Sequence, residues 1–327
     1  MNIDMIRAAR DRLKGHARVT PFLSSPRLDE LAGRRVFVKA EALQKTGSFK
    51  YRGAFAAISA LDTAARTRGV ISYSSGNHAQ GVALAARDHG APATIVMPKD
   101  APAIKRANTK AYGAEIVDYD RDAGESREDL GAAIQADRGL TFVRPYDEPE
   151  VIAGQGTVGL EIIEQAKRAG IEAAEVCVCC GGGGLSAGIA AALAAGAPGL
   201  RVRPVEPDGF DDVARSLISG QLETNPSLSG SICDAILTPA PGKLTFPILH
   251  SHSGPGVVVS DDDALRAMAA AFHHLNLVLE PGGAVGLAAA LYHPETVTGD
   301  TVIAVATGGN VDPAVYRAAL DRAEALV

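Results

Sequence analysis

Tryptophan is absent from the chain, and only 5% of its 327 residues are aromatic. Proteins that bind single-stranded nucleic acid stack the bases on aromatic side chains, so this scarcity argues against that class. An excess of positive charge is also missing, since 32 lysines and arginines stand against 38 aspartates and glutamates, a formal net charge of −6. The composition therefore predicts no nucleic-acid partner and no attraction to an anionic membrane.

Long apolar runs are lacking as well. The stretch GIAAALAAGAPGL is short and interrupted by glycine and proline, whereas a membrane-spanning helix needs about 20 consecutive apolar residues. The first residues, MNIDMIRAARDRLKG, form a charged amphipathic pattern without the apolar centre of a secretory signal. We therefore expect a cytoplasmic protein with no membrane partner.

Cysteine is rare, and three of the four cysteines lie in the run CVCC, which ends at Cys180. Such close spacing occurs in metal sites, but no second cluster of cysteine and histidine accompanies the run. The run alternates like a buried strand, and free cysteine behaves as a small buried hydrophobic residue. We interpret these thiols as packing residues.

What the sequence does contain is a regular alternation of β-branched apolar runs and helix-like segments, such as GVISYSS before NHAQGVALAARDHG. One of the helix-like segments, TVGLEIIEQAKRAG, begins at Thr157. The alternation predicts an α/β fold with parallel sheets covered by helices. We predict a small domain of residues 67–149 inserted into a large domain of residues 1–66 and 150–327, with the ligand cleft at their junction.

Three loops follow strand-like runs and carry unusual chemistry: SSGNHAQG, CCGGGGLSAG and ATGGNVDP. Four consecutive glycines, Gly181 to Gly184, are conformationally expensive, and exposed N–H groups at a helix start form a cradle for an anion such as phosphate. The pattern is neither a dinucleotide fingerprint nor a P-loop, so a smaller phosphorylated cofactor fits better. Thr307 places a hydroxyl at the end of a strand.

The stretch QKTGSFKYRGA holds three cations, Lys45, Lys50 and Arg52. A lysine amine, a phosphate cradle, an asparagine-bearing loop and a strand-end hydroxyl together describe a site for pyridoxal 5'-phosphate, whose aldehyde reacts with a lysine. Lys50 is the predicted reagent, and Lys45 and Arg52 are interpreted as ordinary flanking charges.

These motifs resemble the fold-type II pyridoxal-phosphate enzymes, in the threonine dehydratase and serine racemase branch. The resemblance runs through nearly the whole chain and implies the tryptophan synthase beta-like fold, with two open twisted, mostly parallel sheets flanked by helices. It implies Lys50 and Ser75, on opposite faces of the cofactor, as catalytic residues. The implied cofactor contacts are Phe49, Lys50, Asn77, Gly181, Gly182, Gly183, Gly184 and Thr307. The implied substrate contacts are Ser74, Ser75, Gln80, Arg127 and Tyr146.

The chain departs from the branch at several of these positions. Thr307 stands where serine or cysteine is usual, Tyr146 where the racemase-like members carry asparagine, and Ala235 where glycine is usual. Arg127 is equally interpretable as an exposed helix charge paired with an acidic neighbour. If Arg144 faces the cleft, it would suit a substrate with a second carboxylate, such as 3-hydroxyaspartate, because arginine binds carboxylates with two parallel hydrogen bonds.

The resemblance also implies a site for Mg²⁺ or Ca²⁺ in the stretch VEPDGFDDVARS. Its ligands would be Glu206, the Phe210 carbonyl and Asp212, and oxygen ligands suit such hard cations. The alternative is an ordinary acidic helix start, because negative side chains are favourable there.

We expect, from the resemblance, a dehydratase that removes water and ammonia from a small β-hydroxy amino acid: L-serine, L-threonine or 3-hydroxyaspartate. An amino-acid racemase and, with less support, a β-replacement enzyme are the alternatives among enzymes. A cofactor-binding module without catalysis is the alternative outside them. We also expect a homodimer.

Overall fold

A computed structural model describes residues 2–101, 103–120, 122–227 and 229–324. Its strands are β1 (Phe22–Ser24), β2 (Arg35–Ala40), β3 (Val70–Tyr73), β4 (Ala93–Pro98), β5 (Glu115–Tyr119), β6 (Thr141–Phe142), β7 (Ala174–Cys179), β8 (Leu200–Pro207), β9 (Val257–Val259) and β10 (Thr301–Ala306).

The helices alternate with these strands along the chain. They are α1 (Ile3–Leu13), α2 (Pro26–Ala32), α3 (Lys50–Ser59), α4 (Thr63–Arg68), α5 (Asn77–Asp88), α6 (Ala103–Ala111), α7 (Arg127–Arg138), α8 (Pro149–Arg168), α9 (Gly184–Gly196), α10 (Asp212–Ser219), α11 (Thr245–His252), α12 (Asp261–Leu275), α13 (Pro281–Tyr292) and α14 (Pro313–Glu324). None of the helices in the described ranges is both long and apolar enough to cross a membrane.

The strands form two sheets. The larger has the order β1-β2-β10-β7-β8-β9, and all its neighbours are parallel except β1 and β2. The smaller has the order β5-β4-β3-β6 and is wholly parallel. The predicted fold class, α/β with two mostly parallel sheets flanked by helices, is confirmed.

Each sheet has its own apolar core. The smaller sheet uses only residues between 70 and 142, whereas the larger sheet takes strands from both sides of that segment. The cysteines of the CVCC run are buried and free in β7 and just beyond it, as their interpretation as packing residues predicts. No cluster of three or more metal-binding side chains occurs among the described residues.

Helix α8 begins at Pro149, eight residues before the predicted start at Thr157. The predicted start was wrong because the segment IAGQGT contains glycines, which are unfavourable in a helix. Here they allow close packing: a Cβ on Gly154 would lie 2.6 Å from the Arg52 carbonyl, and one on Gly156 would lie 2.9 Å from the Gly188 carbonyl. Tertiary packing therefore outweighs local propensity in α8.

Candidate active site

Two segments from distant parts of the chain place Lys50. Ser48 forms an antiparallel bridge with Gly308, and the Phe49 N–H donates to the Thr307 carbonyl at 3.1 Å. These contacts attach the start of α3 to the end of β10, so Lys50 lies beside the loop that follows the last strand. Its Nζ donates to the Pro145 carbonyl at 2.9 Å and lies 5.2 Å from the centroid of the Phe49 ring.

The surroundings of Lys50 favour a neutral amine. Burial lowers the pKa of Lys50 from 10.5 to about 8, although the nearby Cys179 and Glu280 act in the opposite direction. Burial, with a smaller effect from Lys50, lowers the pKa of His78 to about 3. The His78 ring therefore stays neutral, and its Nε2 lies 3.1 Å from the Val143 carbonyl.

The interpretation of Arg52 as a flanking surface charge was wrong, because its side chain is only 1% exposed. Its guanidinium forms ion pairs with Glu41 at 2.8 Å and with Glu161 at 2.7 Å, and Glu161 also pairs with the buried Lys39. A buried arginine requires such partners. The cluster ties the first turn of α3, and with it Lys50, to β2 and α8. Lys45 forms an ion pair with Asp88 at 3.3 Å.

Asn77 occupies the first position of α5, and its side chain is held from two sides. Its Nδ2 donates to Glu280, and its Oδ1 accepts from Asn310 Nδ2 at 2.7 Å. Asn310 also donates to the Thr46 carbonyl. An asparagine amide carries two N–H donors, so one remains for a ligand oxygen.

Glu280 is a site residue that was not predicted from the sequence. It is 4% exposed, and burial raises its pKa to about 7. A Cβ on Gly308 would collide with its Oε1, so the carboxylate lies directly against the loop that follows β10. The available signal was the stretch EPGG at the start of α13, where an acidic side chain precedes a proline-initiated helix.

The glycine loop ends in the N-terminus of α9, where unpaired N–H groups favour an anion. Gly183 has a φ of +87°, a left-handed conformation that glycine adopts at little cost. A Cβ on Gly182 would lie 2.3 Å from the ring of Tyr146, so only glycine permits this approach. The Gly182 carbonyl accepts from the Thr245 hydroxyl at 2.7 Å.

Thr307 is 3% exposed, and its hydroxyl oxygen lies 3.2 Å from Cys179 Sγ. The glycine loop follows β7, and Thr307 follows the neighbouring β10. Because parallel strands end at the same edge of a sheet, the glycine loop, Thr307 and the Lys50 segment meet at one edge.

The predicted substrate residues come from the smaller sheet. Ser74 and Ser75 follow β3 and are partly exposed, and the Gly76 N–H donates to the Ser74 hydroxyl at 3.2 Å. Gln80 is buried on α5, and its Nε2 has no protein partner in the described part of the chain.

Arg127 begins α7, and both interpretations of it have support. Its Nε donates to the adjacent Glu128 at 2.7 Å, as an ordinary helix charge would. Its positive charge also acts on Tyr146, whose pKa is raised by burial and lowered by Arg127. Arg127 therefore lies near the tyrosine that covers the glycine loop.

A cavity of about 290 Å³ opens beside Glu280 and Asn310. Gln80 and Lys105 line it from the side of the smaller sheet, and Asp234 lines it from the opposite side. Lys105 and Asp234 form an ion pair at 3.0 Å that joins the two sides.

The three predicted metal ligands lie at the end of β8 and the start of α10. Glu206 is fully buried and accepts from the backbone N–H groups of Val213 and Ala214 at 2.9 and 2.7 Å. Asp212 Oδ1 accepts from Asn225, whereas the buried Oδ2 has no protein partner among the described residues.

Phe210 is 5% exposed, and its N–H donates to the Pro207 carbonyl. Burial, followed by the charge of Asp212, raises the pKa of Glu206, and burial raises the pKa of Asp212 to about 6. Two buried carboxylates and an unpaired oxygen are a suitable environment for a hard cation. The same Glu206 contacts also fit the alternative of an acidic helix start.

The residues present also fit pyridoxal phosphate. Lys50 offers an amine with a lowered pKa, and the glycine loop leads into the N-terminus of α9, whose first N–H groups favour an anion such as phosphate. Asn77 retains one free N–H donor, and Thr307 provides a hydroxyl at the same sheet edge.

Comparison with known proteins agrees with this fit. The family described as pyridoxal-phosphate dependent enzyme matches residues 13–308. The chain is 43% identical to an L-threo-3-hydroxyaspartate ammonia-lyase of Pseudomonas sp., with 97% of both chains covered. It is 40% identical to a serine racemase of Oryza sativa subsp. indica, covering 95% of this chain and 91% of the relative. The solved structure of a maize serine racemase is 37% identical, with a TM-score of 0.90, covering 99% of this chain and 98% of that one.

Proposed function

The chain belongs to the pyridoxal-phosphate-dependent enzymes, and from that premise we propose that it is a dehydratase of β-hydroxy amino acids, with L-threo-3-hydroxyaspartate as its preferred substrate. The observation that carries the proposal is the buried amine of Lys50, with a pKa of about 8, beside the phosphate-cradle loop and the strand-end hydroxyl. The relatives in the dehydratase and racemase branch support the reaction class, as the motif resemblance predicted.

Lys50 is the proposed general base. When bound, the cofactor withdraws electrons from the α-carbon of the substrate and makes its proton acidic. An amine with a pKa of about 8 is substantially neutral near pH 8, so Lys50 Nζ can accept that proton. The Pro145 carbonyl, 2.9 Å away, orients the amine, and the Arg52 cluster holds the turn that carries it.

We propose that the other predicted residues bind and orient the cofactor and the substrate. Ser74 and Ser75 precede α5, whose N-terminal N–H groups favour the α-carboxylate of an amino acid. Gly181 to Gly184 would hold the cofactor phosphate, and Phe49 would pack against the cofactor ring. Asn77 would donate to the ring oxygen, and the Thr307 hydroxyl would pair with the ring nitrogen. Ser75 would hold a proton on the cofactor face opposite Lys50, and Gln80, Arg127 and Tyr146 would complete the substrate pocket.

Loss of the α-proton and of the β-hydroxyl, which leaves as water, produces an unsaturated amine. Its hydrolysis releases ammonia and a keto acid, so 3-hydroxyaspartate would yield oxaloacetate. Closing the cleft against water during this sequence would protect the amine until it leaves the site.

Glu206, the Phe210 carbonyl and Asp212 would hold a Mg²⁺ or Ca²⁺ ion in a structural or activating role. The unpaired oxygen of Asp212 supports this assignment. Such an ion would take no part in the proposed chemistry and would stabilise the start of α10.

We also propose how the enzyme moves, where it is located and how it assembles. A small domain of residues 67–149 would move against the remainder to open and close the cleft. Four buried free thiols suit a reducing cytoplasm. We also propose a homodimer, as the family resemblance implies.

Product analysis tests the function. The holoenzyme is supplied with L-threo-3-hydroxyaspartate, L-serine or L-threonine, and keto acid, ammonia and the chirality of the remaining amino acid are measured. We expect equimolar keto acid and ammonia, lost in Lys50→Ala. Inverted amino acid without keto acid would instead identify a racemase, and keto-acid formation at the normal rate by Lys50→Ala would refute the proposed base.

A further inference from the structure

Two polar side chains at the end of the smaller sheet, Tyr73 and Arg144, have no role in the reaction described above. Tyr73 is the last residue of β3 and stacks on Phe142 of β6, with ring centroids 4.4 Å apart. Arg144 lies two residues beyond Phe142, and its guanidinium carbon is 5.4 Å from the centroid of the Phe142 ring. The Tyr73 ring and the Arg144 guanidinium therefore both pack against the Phe142 ring.

Helix α7 brings a second guanidinium to this end of the sheet. A Cβ on Gly131 would lie 2.3 Å from the Tyr73 ring, so Gly131 marks the side of α7 that covers Tyr73. Arg127 lies four residues earlier and projects from the same side, one turn nearer the strand ends. Its charge and that of Arg144 both act to lower the pKa of Tyr73, which burial and Glu128 raise. Both cations therefore lie near the phenol.

The two arginines differ in how their charges are compensated. Arg127 Nε donates to Glu128 at 2.7 Å. Glu148, four residues after Arg144, accepts the backbone N–H of Arg144 at 2.9 Å rather than its side chain. The Arg144 side chain is exposed, and within the described ranges it forms no ion pair. Its donors are therefore available to an anionic ligand.

Position in the chain connects this group to the reacting centre. Tyr73 directly precedes the loop of Ser74 and Ser75. Arg144 directly precedes Pro145, whose carbonyl accepts from Lys50 Nζ. An anion bound at Arg144 would thus extend from a substrate whose α-carbon lies near Lys50.

We propose that Arg144, supported by the Tyr73 hydroxyl, binds the second carboxylate of a dicarboxylic β-hydroxy amino acid and makes the enzyme selective for it over serine and threonine. A carboxylate accepts two parallel hydrogen bonds from a guanidinium, and a phenol donates a third. Serine and threonine have no group to make these bonds, so they forgo this binding energy. The assignment rests on the proposed dehydratase function and specifies its substrate class.

The test compares Arg144→Gln with the wild-type holoenzyme. For each enzyme, kcat/KM is measured for L-threo-3-hydroxyaspartate and for L-serine. We expect the ratio of the two values to fall about 10- to 100-fold, as the loss of a charge-assisted hydrogen-bonding pair implies. Arg144→Lys should restore part of the ratio. Arg138→Gln, at the far end of α7 and paired with Glu115, is the matched control and should leave the ratio unchanged.

A binding measurement tests the same assignment without catalytic turnover. L-Aspartate and L-alanine, which lack the β-hydroxyl, are titrated into the holoenzyme, and binding is followed by the change in cofactor absorbance. Arg144→Gln should weaken aspartate binding about 10-fold or more relative to alanine, and Tyr73→Phe should weaken it less. Equal effects on both ligands would overturn the carboxylate assignment. A wild-type enzyme that releases keto acid from none of the three hydroxy amino acids would instead refute the proposed function itself.

Discussion

Single residues in this protein take their chemistry from their depth and neighbours rather than from their type. Of the three cations in QKTGSFKYRGA, Lys45 pairs near the surface, Lys50 is a desolvated amine, and Arg52 is a buried structural ion. Lys50 is identifiable from the sequence because three other motifs require a lysine. Arg52 is not identifiable as a buried ion, because its partners, Glu41 and Glu161, approach it only when β2, α3 and α8 are packed together.

The lowered pKa of Lys50 predicts how the apoenzyme takes up its cofactor. The neutral amine attacks the aldehyde, so the uptake rate should rise with pH through about 8 and level off above it. An amine with the ordinary pKa of 10.5 would give a rate that still increases at about pH 10. The measurement is the growth of cofactor absorbance after rapid mixing.

Lys45→Arg is the control for this profile, because the Lys45 side chain is partly exposed and pairs with Asp88. The variant should keep the midpoint at about pH 8. A midpoint at about pH 10 in the wild-type protein would contradict the account of Lys50 desolvation.

The strands and helices position these residues, and the alternation of strand-like and helix-like segments in the sequence predicted most of them. The ends of the parallel strands identified the glycine loop and the Thr307 loop as parts of a site. The predicted start of α8 was wrong because its first glycines, which by themselves favour a loop, here allow close contacts with α3 and α9. Glu280 was missed because an acidic residue before a helix is common and becomes distinctive only beside Asn77 and Gly308.

The loop between β8 and α10 yields a prediction on metal binding. Mg²⁺ or Ca²⁺ should raise the melting temperature, because an ion that binds only the folded state stabilises it by about 2.7 kcal/mol at 100 times its dissociation constant. Asp212→Asn should abolish the rise, since it removes the unpaired buried oxygen's charge. The measurement is thermal unfolding with either ion or with chelator.

Asp208→Asn supplies the matched control, because Asp208 is an exposed acid on the same turn. It should keep the full response to the ion. If the wild-type melting temperature is the same with ion and with chelator, the acidic helix start is the better interpretation of Glu206 and Asp212.

At the scale of the whole molecule, the site exists only because distant segments converge. The segment near position 50 meets the loops after β7 and β10 at one edge of the larger sheet. Gln80 and Lys105 line the adjoining cavity from the side of the smaller sheet. The order of the motifs predicted this convergence through the family resemblance. The Lys105–Asp234 ion pair and the contacts of Tyr73 with α7 could not be predicted, because they depend on how the two sheets and their helices pack.

The most direct test of the central claim is to identify the residue that carries the cofactor. Borohydride reduction of the holoenzyme makes the covalent link between cofactor and amine permanent, and peptide mass mapping then locates it. We predict a single pyridoxyl group on Lys50 Nζ, with Lys39 and Lys45 unmodified. A label on another lysine, or no label on a protein saturated with pyridoxal phosphate, would contradict the account.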